Sequence, residues 1–95
     1  MGKGYLLSIY RNAPKAENLA EYAPAAKEAL EGAGGRFIVR ASPQKTYENG
    51  LDERTVVIEF DSIAAAIAAY ESPEYQEALA KLGAVDRDIR LIEGV

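Results

Sequence analysis

The chain has no cysteine, no histidine and no tryptophan. Without cysteine there is no disulfide and no thiolate nucleophile, a composition that suits a reducing compartment. Without histidine, the commonest general base and the commonest metal ligand are both missing. A zinc site would have to be made from carboxylates alone, which is not how such sites are usually built. No metal and no cofactor are therefore expected. Basic residues are outnumbered as well: 11 Lys and Arg stand against 15 Asp and Glu, a net charge of −4. A general nucleic-acid surface needs concentrated positive charge, so no nucleic-acid partner is expected. Long apolar runs are also absent near the start. Only Tyr5-Leu6-Leu7 precedes Ser8, too short for a secretion signal or a membrane span. No membrane association is expected, and the default location is cytoplasmic.

What is present is the composition of a soluble globular protein, with 48% apolar and 27% charged residues among 95. That length makes one domain, residues 1–95. A domain this small buries only about 60–65% of the surface its unfolded chain exposes, so a second copy would help stabilise it.

Aromatic and long apolar residues from Gly4 to Tyr10 predict a first strand. Leu19, Tyr22, Ala23, Ala26, Leu30 and Ala33 recur at three- and four-residue spacing, predicting a helix over 16–32 that stops at Gly34-Gly35. Pro24 lies inside it and predicts a kink or a restart. Residues 36–46 and 53–60 read as two further strands. Asn49-Gly50 between them is the strongest short hairpin signal. Asp61 or Ser62 caps a helix with Ile63, Ala66, Ile67 and Tyr70 on one face. Ser72-Pro73-Glu74 starts a new helical segment, and Gly83 ends it. Residues 88–93 form the last strand. The order β-α-β-β-α-β predicts an α+β fold: a four-stranded antiparallel sheet with its helices on one face, a ferredoxin-like two-layer sandwich.

Side chains alternate along a strand, so each strand splits into two sets. Tyr5, Leu7, Ile9, Phe37, Val39, Val56, Ile58, Phe60, Ile89 and Leu91 are wholly apolar and are assigned to the helices. Leu6, Ser8, Tyr10, Arg36, Ile38, Arg40, Ser42, Thr55, Val57, Glu59, Arg90 and Ile92 form a mixed set on the open face. If Asn49-Gly50 is a two-residue turn, Arg40 lies opposite Glu59 as a cross-strand ion pair, and Val39 lies opposite Phe60. A bulge at Pro43 would shift that register. The open face measures roughly 400 Å² from strand spacing and length. Its simplest cover is the same face of a second copy, giving a two-fold homodimer. An RNA-binding sheet would need stacking aromatics here, and the first and third strands offer only Tyr10.

Gly4-Tyr5, Glu21-Tyr22, Gly34-Gly35, FIVR at 37–40, VVIEFDS at 56–62, YESPEYQ at 70–76 and LIEG at 91–94 together resemble the domain-of-unknown-function family 1330. That family belongs to the dimeric α/β-barrel superfamily. The resemblance spans nearly the whole chain. It implies a ferredoxin-like protomer and a homodimer whose two sheets pack into a barrel. It implies no settled reaction, since the superfamily holds cofactor-independent monooxygenases, isomerases, haem enzymes and proteins without known chemistry. Two departures stand out: Ala33 where the family often has histidine, and Lys81-Leu82-Gly83 where it usually carries arginine. Haem ligation by histidine is impossible here.

The functional expectation is a small-molecule pocket on the sheet face that takes an anionic or aromatic ligand. Arg40 would bind the anion and Glu59 would be the catalytic proton carrier, with Tyr10 and Ser8 orienting the ligand. The bland reading of Arg40 and Glu59 is a structural interface pair. Tyr22, Tyr70 and Tyr75 read mainly as core, with hydroxyls at the edge of a pocket as the second reading, and Asp86 with Asp88 as a solvated turn rather than a metal site. The protein is then either a cofactor-free enzyme or a non-enzymatic homodimeric module, ligand-sensing or purely structural.

Overall fold

In a computed structural model that describes residues 2–95, the strands are β1 (Gly4–Tyr10), β2 (Arg36–Ala41), β3 (Thr55–Phe60) and β4 (Arg87–Glu93). The helices are α1 (Ala16–Gly32), α2 (Ile63–Glu71) and α3 (Pro73–Ala80). The sheet runs β2-β3-β1-β4, and every neighbouring pair is antiparallel. The helices cover one face, which is the arrangement the element order predicts. Among the described residues, no helix is long and apolar enough to cross a membrane.

Capping explains the helix boundaries. Ser62 Oγ accepts the Ala65 N–H at 3.1 Å and starts α2. Ser72 then serves two helices at once. Its hydroxyl donates to the Ala69 carbonyl at 2.8 Å, closing α2, and accepts the Tyr75 N–H at 3.2 Å, opening α3 at Pro73. A helix cap of this kind is worth about 1 kcal/mol. Because one side chain closes two ends, Ser72→Ala should cost about 1.5–2 kcal/mol of unfolding free energy in urea titrations. α1 runs unbroken through Pro24, so no restart occurs. It ends at Gly34, whose φ of +95° is left-handed. Gly35 follows for a different reason: a Cβ there would lie 2.8 Å from both Ile58 Cγ2 and Phe60 Cζ.

The core lies between sheet and helices. Leu6, Ile58, Phe60, Leu30, Tyr75 and Leu82 are almost fully enclosed there. The strand registers arrange the helix-facing residues in rows across the sheet. One row is Phe37, Ile58, Leu6 and Leu91. The next is Arg40, Val56, Ser8 and Ile89. Beyond it, Tyr10 lies opposite Arg87 and donates its N–H to the Arg54 carbonyl at 3.0 Å. The helix-facing side of the sheet is therefore apolar at one end and polar at the other.

This corrects two expectations. First, the faces of β1 are reversed. Leu6, Ser8 and Tyr10 point under the helices, while Tyr5, Leu7 and Ile9 share the open face with Glu59, Val57 and Thr55. The assignment by apolarity fails because the enclosed side has a polar end that receives Ser8 and Tyr10. Second, Asn49-Gly50 does not make a two-residue hairpin. β2 ends at Ala41 and β3 starts at Thr55, so residues 42–54 form a loop. A local turn within it is closed by the Gly50 N–H on the Tyr47 carbonyl at 2.9 Å. The irregularity in β2 falls between Phe37 and Val39, not at Pro43, and puts Val39 opposite Val57 and Arg40 opposite Val56. Arg40 and Glu59 therefore lie on opposite faces, and the expected ion pair between them does not form. Glu59 lies opposite Arg36 instead.

Candidate functional site

The polar end of the sheet opens into a cavity under α1 and α3. Its walls include Ser8, Tyr10, Tyr22, Arg40, Arg54 and Tyr75 on the polar side. Leu6, Ala26, Leu30, Phe37 and Ile58 are on the apolar side. The cavity is small, about 30 Å³, room for one or two waters; the wider space of about 430 Å³ among these side chains includes open solvent. Among the described residues, no carboxylate lines the cavity.

Each polar side chain has a local reason to be there. β1 alternation turns Ser8 and Tyr10 inward. The α1 periodicity puts Tyr22 on the buried face with Ala26 and Leu30. The Ser72 cap fixes the first turn of α3 and with it Tyr75. Arg87, at the start of β4, sits behind the three hydroxyls. Its Nη1 donates to Ser8 Oγ at 3.2 Å and to the Tyr22 and Tyr75 oxygens at 3.4 Å each. Its guanidinium carbon also lies 5.6 Å from the Tyr10 ring centre and 5.8 Å from that of Tyr22, within the range of attraction between a cation and a π face.

The hydrogen bonds leave a surplus of donors. The Tyr22 and Tyr75 oxygens are 2.6 Å apart, so one phenolic proton lies between them. Among the described residues, neither the other phenolic proton nor the Ser8 hydroxyl proton has an acceptor. Arg54 Nε is buried without a hydrogen-bond partner among the described residues. Burial pushes the Tyr22 hydroxyl well up, with Tyr75 adding to it, and burial likewise pushes Tyr10 up. Both stay protonated at neutral pH and act as donors. Burial works against the charge on Arg87, but the surrounding phenols outweigh it and its pKa rises.

The charges are sorted in the same way. Of the chain's six arginines, Arg11, Arg36 and Arg90 pair with Asp86, Glu59 and Asp88 at 3.6, 2.9 and 2.7 Å. Arg40, Arg54 and Arg87 have no ion pair among the described residues, and all three border or back this cavity.

Glu59 is elsewhere. On the open face it accepts from Arg36 Nε and Nη2 at 3.0 and 2.9 Å and from the Tyr5 hydroxyl at 3.0 Å. The Arg36 bonds, helped by Tyr5, hold its carboxyl below the usual range. Arg36 also reaches Asp61 at 3.3 Å, and Lys3 reaches Asp61 at 3.4 Å.

A family model described as a domain of unknown function, DUF1330, matches residues 3–95. The chain belongs to this family. No curated protein matches the sequence. Among solved structures, the DUF1330 chain is similar to a protein of unknown function from Rhodopseudomonas palustris, at TM-score 0.71 and 19% identity over 99% of this chain and 83% of that one. It is similar to a dimeric ferredoxin-like protein of unknown function from Thermobifida fusca, at TM-score 0.62 and 15% identity over 97% and 91%. It is also similar to SnoaB, a cofactor-independent oxygenase from Streptomyces nogalater, at TM-score 0.61 and 18% identity over 100% and 95%. At these identities the likeness shows the ferredoxin-like fold.

Of the four residues expected to form the site, the DUF1330 structure brings Ser8, Tyr10 and Arg40 together, though under the helices rather than on the open face. It separates Glu59 from them. Arg54 and Arg87 were missed. The available signal was parity: Arg87 precedes Ile89 and Leu91 at two-residue spacing, as Arg54 precedes Val56 and Ile58. Ala33 and Lys81, where the resemblance implies a departure from the family pattern, border the groove between α1 and α3 instead of the cavity.

Proposed function

We propose that this DUF1330 protein binds a small organic anion in the cavity between its sheet and helices. The observation that carries the reading is the sorting of the arginines: the three without a carboxylate are the three at the cavity. Ser8, one of the Tyr22–Tyr75 pair and Arg54 add donors without acceptors among the described residues, which suits a ligand that only accepts. Arg40 and Arg54 hold the anion, and Ser8 and Tyr10 orient it. A donor-only pocket would equally stabilise an oxyanion formed during a cofactor-free reaction. Such a reaction also needs a base, and Glu59 faces the other way. The primary reading is therefore binding.

The reading includes a homodimer closed through the open sheet face. Leu7, Ile9, Val39, Val57 and Ile92 lie there with no helix over them, Val39 and Ile92 each 44% exposed. The T. fusca neighbour is dimeric. Glu59, Arg36 and Tyr5 then belong to the interface.

The test is thermal unfolding in benzoate. A ligand at a hundred times its dissociation constant stabilises the folded state by about 2.7 kcal/mol, which raises the midpoint of a domain this size by roughly 10 °C or more. Benzoate should produce this rise and neutral benzamide should not. Equal shifts with both, or none with either, would remove the anion site.

A further inference from the structure

We infer that the cavity encloses the acid group of its ligand and nothing more: it takes a bare carboxylate, formate included, and excludes tetrahedral oxyanions such as phosphate. This deepens the anion-binding reading and rests on it. Size is the first argument. The cavity of about 30 Å³ has room for one or two waters. The two oxygens of a carboxylate fill two such places, whereas a phosphate brings four. Leu6, Ala26, Leu30 and Ile58 belong to the packed core, none more than 4% exposed. The apolar wall therefore yields no further space without loss of packing.

The donors match that size. The Ser8 hydroxyl, one phenolic proton of the Tyr22–Tyr75 pair and Arg54 Nε have no acceptor among the described residues. A buried donor without an acceptor is costly. Two waters bring protons of their own into this set, while two carboxylate oxygens only accept. The way out lies toward Arg40. Arg40 lines the cavity but is itself exposed, its guanidinium carbon 5.1 Å from the ring centre of half-buried Phe37. Ser8, Tyr10, Tyr22 and Tyr75 are buried. A body attached to the acid stays outside, past Arg40 and in solvent, so it adds little to affinity.

The experiment is a calorimetric titration of the full chain with benzoate and with formate, each alone and in competition, and with inorganic phosphate at matched ionic strength. Formate should displace benzoate and bind within about tenfold of it, and phosphate should bind at least tenfold more weakly than formate. Ser8→Val, which trades the hydroxyl for a methyl and adds a second, should weaken formate and benzoate by the same factor. If Ser8→Val fails to fold, the three ligands on the natural chain decide alone. Phosphate binding as tightly as formate would overturn the size limit while the anion site stood. So would benzoate that formate does not displace, or that Ser8→Val spares while formate is lost, because the body would then carry the binding. If neither benzoate nor formate bound, both readings would fall.

Discussion

Replacing Arg87 with methionine should weaken benzoate binding by about ten- to a hundredfold and leave the fold about as stable as before. A hydrogen bond to a charged group is worth roughly 1.5–3 kcal/mol, and about 1.4 kcal/mol is tenfold in affinity. Arg87 contributes in two ways. Its charge lies behind the cavity's hydroxyls, and its Nη1 fixes Ser8, Tyr22 and Tyr75 by accepting none and donating to all. With those oxygens already served by Arg87, the Ser8 proton and the phenolic proton not held between Tyr22 and Tyr75 are free to turn into the cavity. Arg87 is thus a positioning residue. It has no carboxylate partner to strand, so removing it uncovers no second buried charge. Replacing a buried ion by an apolar side chain of similar volume is often neutral or stabilising, and sites kept for function are not tuned for stability. Calorimetry with benzoate and urea unfolding read the two effects separately. Stability falling by about 3 kcal/mol with unchanged affinity would make Arg87 a structural residue only.

Leu7→Glu should break the proposed sheet-face homodimer and leave the protein monomeric at micromolar concentration. Leu7 lies on the central strand β1, opposite Val57 on one side and Arg90 on the other, on the uncovered face. Burying a leucine contributes about 1.5–3 kcal/mol. A two-fold interface contains each residue twice, so the loss is about 3–6 kcal/mol per dimer before any cost of burying the carboxylate. That corresponds to at least a hundredfold weaker association. Sedimentation velocity at micromolar concentration reads it directly. A Leu7→Glu protein that still sediments as a dimer would place the interface elsewhere.

The element order was legible because it rests on local signals. Ser62 and Ser72 cap helices, Gly34 ends one, and period-two or period-3.6 apolar spacing marks what lies between. Those signals depend on neighbours in sequence, and the structure places them where the chain predicts. The faces of β1 were not legible. The rule that the more apolar set faces the core assumes a core that is apolar throughout, with water on the other side. Here Tyr5, Leu7 and Ile9 lie on the open face, while Ser8 and Tyr10 meet the Arg87 cluster inside. The register of β2 against β3 was hidden for another reason. It is set by a bulge between Phe37 and Val39 and by the span of the 42–54 loop, and neither leaves a periodic trace. A single-residue shift there moves Arg40 from one face to the other. Ser8, Tyr10 and Arg40 were still found as a group, because reversing β1 and shifting β2 carried all three to the same side.

The most direct measurement of the central claim is a benzoate titration of two double variants beside the natural chain. Arg40→Met with Arg54→Met removes the unpaired guanidiniums at the cavity. Arg36→Met with Arg90→Met removes the same number of charges from ion pairs on the open face. Net charge changes equally, so long-range attraction for an anion changes about equally. The cavity variant should lose at least a hundredfold in benzoate affinity, and the open-face variant should stay within about threefold of the natural chain. Equal losses in the two, or a larger loss in the open-face variant, would contradict an anion site between sheet and helices.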